Sequence, residues 1–298
     1  MAISVVLAGS LAVLVRPGLL RDRVEKASGL LVFQGRDDTG YGIFTMDAGG
    51  GRIRLLPVPI PRSVGFPRYS PDGRRLAFVA ASDDGVEDLY IADHDGSNPH
   101  VVAASPGEPE GAPSWSPDGS RIAFSSRRDG NWEIYTVRPD GTDLRRLTSD
   151  EAFDAAPVWS PVGSGTIAFS SDRGGVDSHV YLMAQDGSGV RRLTFGDDEA
   201  SPDWSPDGAR IVYAGFSDGN ADIWVIEADG SDARRLTRSE MFEYTPRWSP
   251  DGRWIAFEGY LGDAPDIFVM RPDGTASRRL TPTGHYSGSP AWRPLPPV

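Results

Sequence analysis

"PSWSPDGSRIAFSSRRDGNWEIYTVRPDGTDLRRLT" occupies residues 113–148, and its reading decides the fold. "PSWS" is a short apolar-polar alternation. "PDG" is a tight turn: Pro presets φ, Asp bonds its own backbone, and Gly takes positive φ. "RIAFSS" reads as a second strand and "RRDGNW" as a second turn. "EIYTV" is rich in β-branched and aromatic residues and reads as a third strand. "RPDGTD" turns again, and "LRRLT" is a fourth. Nothing in the stretch has helical periodicity. The unit is a four-stranded antiparallel meander, the length of one propeller blade.

The unit recurs. Its opening proline stands at Pro67, Pro113, Pro157, Pro202, Pro246 and Pro290, with gaps of 46, 44, 45, 44 and 44 residues. Five units are complete and the sixth is split. "PAWRP" (290–294) is a first strand with no successor, and residues 29–58 supply strands two to four with no first strand before them. Joined, they make the sixth blade. The expectation is an all-β, six-bladed propeller closed by strand 290–294 against 29–58, which protects the inner strands from stray pairing. Residues 29–298 form the propeller, and 1–28 form a separate apolar segment.

Tandem units of this form resemble the six-bladed propeller of TolB-type periplasmic proteins, a WD-repeat-like class also found as gating domains before some serine peptidases. The resemblance covers about nine-tenths of the chain. It implies a periplasmic or secreted scaffold that binds other proteins; a cytoplasmic site is the alternative. TolB itself carries an additional N-terminal domain before its propeller, and fewer than 30 residues precede the repeat here.

Composition agrees with the turns. Gly and Pro total 60 of 298 residues, and they fall at fixed intervals rather than at random. Acids outnumber bases 42 to 30, for a formal charge of −12. That argues against nucleic acid and favours a protein or peptide with a basic patch. The absence of cysteine excludes thiol catalysis and disulfides. "AISVVLAGSLAVLV" (2–15) is too short to span a bilayer. It fits either the apolar core of a secretory signal or an N-terminal helix packed on the domain. The chain reads as a monomer.

Aromatic residues recur after each marker proline: Tyr69, Trp115, Trp159, Trp204, Trp248 and Trp292. They are expected to pack between blades, each stabilising by about 2–3 kcal/mol. Asp72, Asp118, Asp207 and Asp251 read as turn residues; Val162 replaces the acid in one unit. The arginine pairs of "RRLT" sit on each outermost strand, where they would discourage sheet-to-sheet association. The acids before the third strand (Asp88, Glu133, Asp222, Asp266) are expected to bond locally, with His179 and Gly42 replacing them elsewhere.

Candidate function lies in the variable blade-to-blade loops, which share a face with the turns between strands two and three. These loops hold ten acids and two bases, Arg62 and Arg238. Three residues before the marker proline stand Glu110, Asp154, Glu199 and Glu243, with Val64 and Ser287 in the other two blades. Four carboxylates are therefore expected around the channel mouth, with a gap beside Arg62, His285 and Tyr286. Phe153, Phe242 and Tyr286 add apolar surface. The arrangement reads as an acidic funnel for a basic partner. A calcium-binding propeller is the alternative for the acidic funnel, but no compact Asp-rich loop is present, so no metal or cofactor is expected. The four histidines fall at unrelated repeat positions, and neither "HExxH" nor "GxSxG" occurs. The rival reading is an enzyme using two funnel carboxylates beside an aromatic cleft.

Overall fold

The structure, a computed structural model, describes residues 29–37, 40–60, 63–82, 85–163, 165–282 and 286–294. All its regular elements are strands, arranged as six four-stranded antiparallel sheets. We number the blades from the chain start and call their strands a to d from the axis outward. Blade one combines Ser287–Trp292 as strand a with Leu30–Asp37, Gly40–Asp47 and Arg54–Leu55. Blades two to six begin with Val64–Tyr69, Glu110–Trp115, Asp154–Trp159, Glu199–Trp204 and Phe242–Trp248. Each a strand touches the a strand of the next blade, and Ser287–Trp292 touches both Val64–Tyr69 and Phe242–Trp248. The ring is closed, with Trp292 opposite Leu31.

Six apolar clusters make the core, one at each seam between blades. Trp115 packs with Ala77 and Leu89 of blade two and Phe124 of its own blade. Trp159, Trp204, Trp248, Trp292 and Tyr69 repeat the arrangement at the other seams. Three indoles also donate Nε1–H to the preceding blade: Trp115 to the Arg68 carbonyl at 3.1 Å, Trp204 to Val158 at 3.2 Å and Trp292 to Arg247 at 3.0 Å. The repeated ring is thus both apolar filling and a polar stitch.

"SPDG" makes a self-contained turn. The Ser70 hydroxyl donates to Asp72 at 2.5 Å, Asp72 accepts from the Arg74 N–H, and the Arg75 N–H closes on the Ser70 oxygen. The serine hydroxyl holds the Asp72 carboxyl below the usual range. Val162 breaks the pattern, and there the Ser160 hydroxyl turns to the Val162 carbonyl.

The residue before each marker proline has positive φ: Phe66, Ala112, Ala156, Ser201, Thr245 and Ser289. The ladder shifts register beside each of them. A bulge is the natural answer, since a following proline excludes the ordinary helical region. The freed N–H finds a side chain on strand b of the preceding blade: Ala156 donates to Ser125 and Ser201 to Ser170.

The "RRLT" word corrects the sequence reading. Its second arginine works inside the blade rather than as an edge guard. Arg146 reaches Glu133 at 2.7 Å and Arg235 reaches Asp222 at 2.5 Å. The threonine accepts an N–H near the start of strand c, as Thr148 does from Ile134 at 2.9 Å. The acid, which lies within strand c, therefore ties strand d to strand c.

The turn between strands c and d uses its glycine for blade contact. A Cβ on Gly187 (φ +84°) would stand 2.3 Å from the Leu147 carbonyl oxygen of the preceding blade. Gly274 meets Leu236 in the same way. Gly187→Ala is expected to cost about 2–4 kcal/mol, because backbone must move as well as φ. Gly85→Ala, at φ +85° but in open space, should cost only about 1 kcal/mol. Urea midpoints of the two variants check the difference.

Candidate functional site

The blade-to-blade loops and the b–c turns form one face, and its buried layer is built from charge. Glu110 and Asp154 have fully buried side chains, and Glu199 and Glu243 are nearly so. They do not form the solvent-facing ring that the spacing suggested. Arg128, two residues past the strand-b end, reaches Glu110 at 2.6 Å, and Arg173 reaches Asp154 at 2.5 Å. Nδ1 of His179, from blade four, lies 3.0 Å from Glu199, and Glu243 accepts from the Ser239 hydroxyl at 2.7 Å. Buried charge without partners is costly, and in blades three and four an arginine supplies the counter-charge, whereas Glu243 has only a hydroxyl.

Burial pushes the carboxyls of Glu110 and Glu243 up. It pushes Asp154 up to about 6, with the Ser171 hydroxyl and Arg173 acting against it. A second cause lies across the seam. Asp88 of blade two raises Glu110, and Asp222 of blade five raises Glu243. The acid early in strand c and the acid near the start of the next strand a converge at the seam.

Above this layer the face is apolar and acidic. Phe153 and Phe242 are exposed, and so are Phe195, Val176 and Leu261. Trp132 packs against Phe153 and Phe216 against Phe242, with ring centroids 6.0 and 6.2 Å apart. Tyr286 stands edge-on to Tyr41 at 5.5 Å. Glu151, Asp177, Asp197, Asp198, Glu240 and Asp263 are exposed acids of the same loops. Arg62 and His285 lie outside the described residues. Phe195, Val176 and Leu261 were missed in the sequence; their place in loops already marked as variable was the available signal.

Two clefts open on this face. One of about 220 Å³ in blade one is walled by Phe33, Phe44, Gly35, Ile53, Pro282 and Tyr286. Another, of about 340 Å³ in blade five, is walled by Tyr213, Trp224, Phe216, Phe195, Gly215 and Glu199.

The axis was also missed. The residue between the marker proline and the aromatic ring points inward: Arg68, Ser114, Val158 and Asp203 line a cavity of about 360 Å³ at the "SPDG" mouth. Prolines of the repeated word rim it, among them Pro71, Pro117, Pro161 and Pro206. Arg247, in the equivalent place, donates to the Pro246 carbonyl at 2.8 Å, and Arg68 to the Pro67 carbonyl at 2.9 Å. Burial, together with Arg247, disfavours the charge on Arg68. Strand alternation was the signal that could have found these residues. On the same face, Arg210, Arg234, Arg253 and Arg271 line a basic cleft. Among the described residues no group of three or more His, Asp or Glu is placed to hold a metal ion.

A closed ring of six four-stranded antiparallel blades defines the chain as a six-bladed β-propeller. The sequence matches the TolB β-propeller domain over residues 31–201 and 198–295, so the chain belongs to that family. It is 39% identical to the Tol-Pal system protein TolB of Anaeromyxobacter dehalogenans over 115 residues, 37% of this chain and 25% of that protein. It is 33% identical to an uncharacterized protein of Agrobacterium fabrum over 184 residues, 58% of this chain and 61% of the relative. The matched stretches thus span less than two thirds of either relative. The crystal structure of TolB from Acinetobacter baumannii superimposes with TM-score 0.79 at 26% identity, covering 90% of this chain and 67% of that one. An oligogalacturonate lyase from Vibrio parahaemolyticus shares the fold, with TM-score 0.58 at 16% identity over 85% of this chain and 74% of that one.

Proposed function

We propose that the chain is a docking scaffold of the cell envelope that engages a protein partner, or a peptide with a basic patch, on the blade-to-blade loop face. One observation carries the reading: Phe153, Phe195, Phe242, Val176 and Leu261 all stand exposed on that face. Exposed aromatic anchors on a rigid base are what a protein interface uses. The acids around them steer a basic partner, while Glu110, Asp154, Glu199 and Glu243 hold the loops in place from beneath. Tyr286 extends the same surface across the seam of blade one. The chain acts as a monomer and without a cofactor in this reading. Membership of the TolB family, and a relative named for the Tol-Pal system, support the envelope placement. No helix among the described residues is long and apolar enough to cross a membrane.

The test is affinity capture from an envelope extract. Phe153→Ser combined with Phe242→Ser should lower partner recovery about tenfold or more, with the variant still unfolding cooperatively at a modestly lower midpoint. Equal recovery by the variant and the parent chain would remove the loop face from consideration.

A further inference from the structure

The blade repeat contains its own ligand experiment. In blade three Arg128 lies across the ring pair Phe124 and Tyr135, 5.5 and 5.0 Å from their centroids. Its Nε donates to the Ser126 hydroxyl at 2.9 Å, and its terminal nitrogen meets Glu110 at 2.6 Å. Blade four repeats each contact. Arg173 lies 5.1 and 5.4 Å from Phe169 and Tyr181, donates to Ser171 at 2.9 Å, and meets Asp154 at 2.5 Å. Two blades thus define one slot: an aromatic pair as the wall, a carboxylate at the end, and a guanidinium between them.

Blade five keeps the wall and the carboxylate but lacks the arginine; His179 meets Oε2 of Glu199 at 3.0 Å, and Oε1 is the oxygen that would face a ligand. Strand pairing fixes the equivalences. Glu199 lies opposite Gly215 as Glu110 lies opposite Ser126 and Asp154 opposite Ser171, while Tyr213 pairs with Trp224 as Phe124 pairs with Tyr135. Two residues on, where the other blades have arginine, stands Ser217. The result is the cleft of about 340 Å³, lined by Tyr213, Trp224, Gly215, Ser217 and Glu199, with exposed Phe195 at its edge. The Trp224 Nε1–H is buried and has no acceptor. Blade one differs. Its cleft has Phe33, Phe44 and Gly35, but Ser287 occupies the carboxylate position and Asp37 stands where blades three and four have arginine.

We infer that the blade-five cleft binds an arginine side chain of a partner, laid across Tyr213 and Trp224 and ended on Glu199 as Arg128 and Arg173 are in their own blades. Arginine suits the slot better than lysine because a planar guanidinium both stacks on rings and meets a carboxylate in fixed geometry. The inference deepens the docking proposal, since the occupant comes from a bound partner.

The experiment uses the whole chain and N-acetyl-arginine amide as the probe, followed at the indole N–H resonance of Trp224, assigned with Trp224→Phe. Saturable shifts are expected with arginine amide, and about tenfold weaker binding with the lysine and glutamine amides. Glu199→Gln should weaken arginine binding about tenfold. Gly215→Ser with Ser217→Arg rebuilds the internal arginine of blades three and four, and should abolish binding while leaving the fold intact. Arginine binding that survives this self-filled cleft, or equal affinity for the three amides, overturns the inference. So would saturation of the cleft by a neutral oligosaccharide but not by arginine, which would favour a carbohydrate site. Failure here leaves the Phe153 and Phe242 capture result untouched, so the two proposals fail separately.

Discussion

Removing residues 287–298 should abolish cooperative folding, or lower the thermal midpoint by more than about 15 °C if any soluble chain remains. The deleted strand a of blade one is buried along its whole length, Ser287–Trp292. Its loss strips Trp292 from a cluster with Leu31, Phe33, Trp254 and Ile267, and removes the indole bond to the Arg247 carbonyl. It also exposes Leu30–Asp37 as an unpaired edge facing an open channel. Both contacts that close the ring, with Phe242–Trp248 and with Val64–Tyr69, go with it. The loss far exceeds a single core truncation, which costs about 3–5 kcal/mol for an aromatic residue. Calorimetry and size-exclusion chromatography of the truncated chain check this. Adding a synthetic 285–298 peptide should restore part of the midpoint by strand addition. A monomeric truncated chain melting within a few degrees of the full one would show that the ring does not depend on its closing strand.

Arg128→Ala is expected to cost about 3 kcal/mol at pH 8. Glu110 is fully buried, and one of its oxygens already has no partner. Deleting Arg128 leaves a buried carboxylate beside Asp88 of the neighbouring blade with its chief counter-charge gone. The sign of the pH dependence follows from the raised pKa. The folded variant keeps a proton on Glu110 that the unfolded chain, with an ordinary carboxyl, has released. The deficit is therefore small near the unfolded pKa and grows as pH rises through the folded one. Urea melts between pH 5 and 8 should show the gap widening with pH. Glu110→Gln with Arg128→Met removes both charges and should lie within about 1 kcal/mol of the parent at all pH values. If Arg128→Ala alone matches the parent at pH 8, the pair is not a buried structural element, and Glu110 must reach solvent.

These expectations separate what could be read from the letters and what could not. The spacing of Pro67 to Pro290 gave the blade count and joined strand 290–294 to the N-terminal strands, where Trp292 proves to lie opposite Leu31, because a regular meander repeats its turn chemistry in every unit. Tyr69, Trp115, Trp159, Trp204, Trp248 and Trp292 were legible as seam residues, since a large ring at one repeat position has only the next blade to pack on. The SPDG aspartates were legible as turn residues because their partners lie within a few positions along the chain. What the same letters could not tell was which way a carboxylate faces. Glu110 and Arg128 are 18 residues apart, and the seam acid Asp88 belongs to a different blade. Whether such groups meet depends on how two sheets pack side by side. Local alternation determined blades, turns and ring closure. Only the packing of blade against blade sealed Glu110 and Asp154 inside, aimed Arg68 and Asp203 at the axis, and left the blade-five slot open, because burial and charge pairing are properties of neighbours in space.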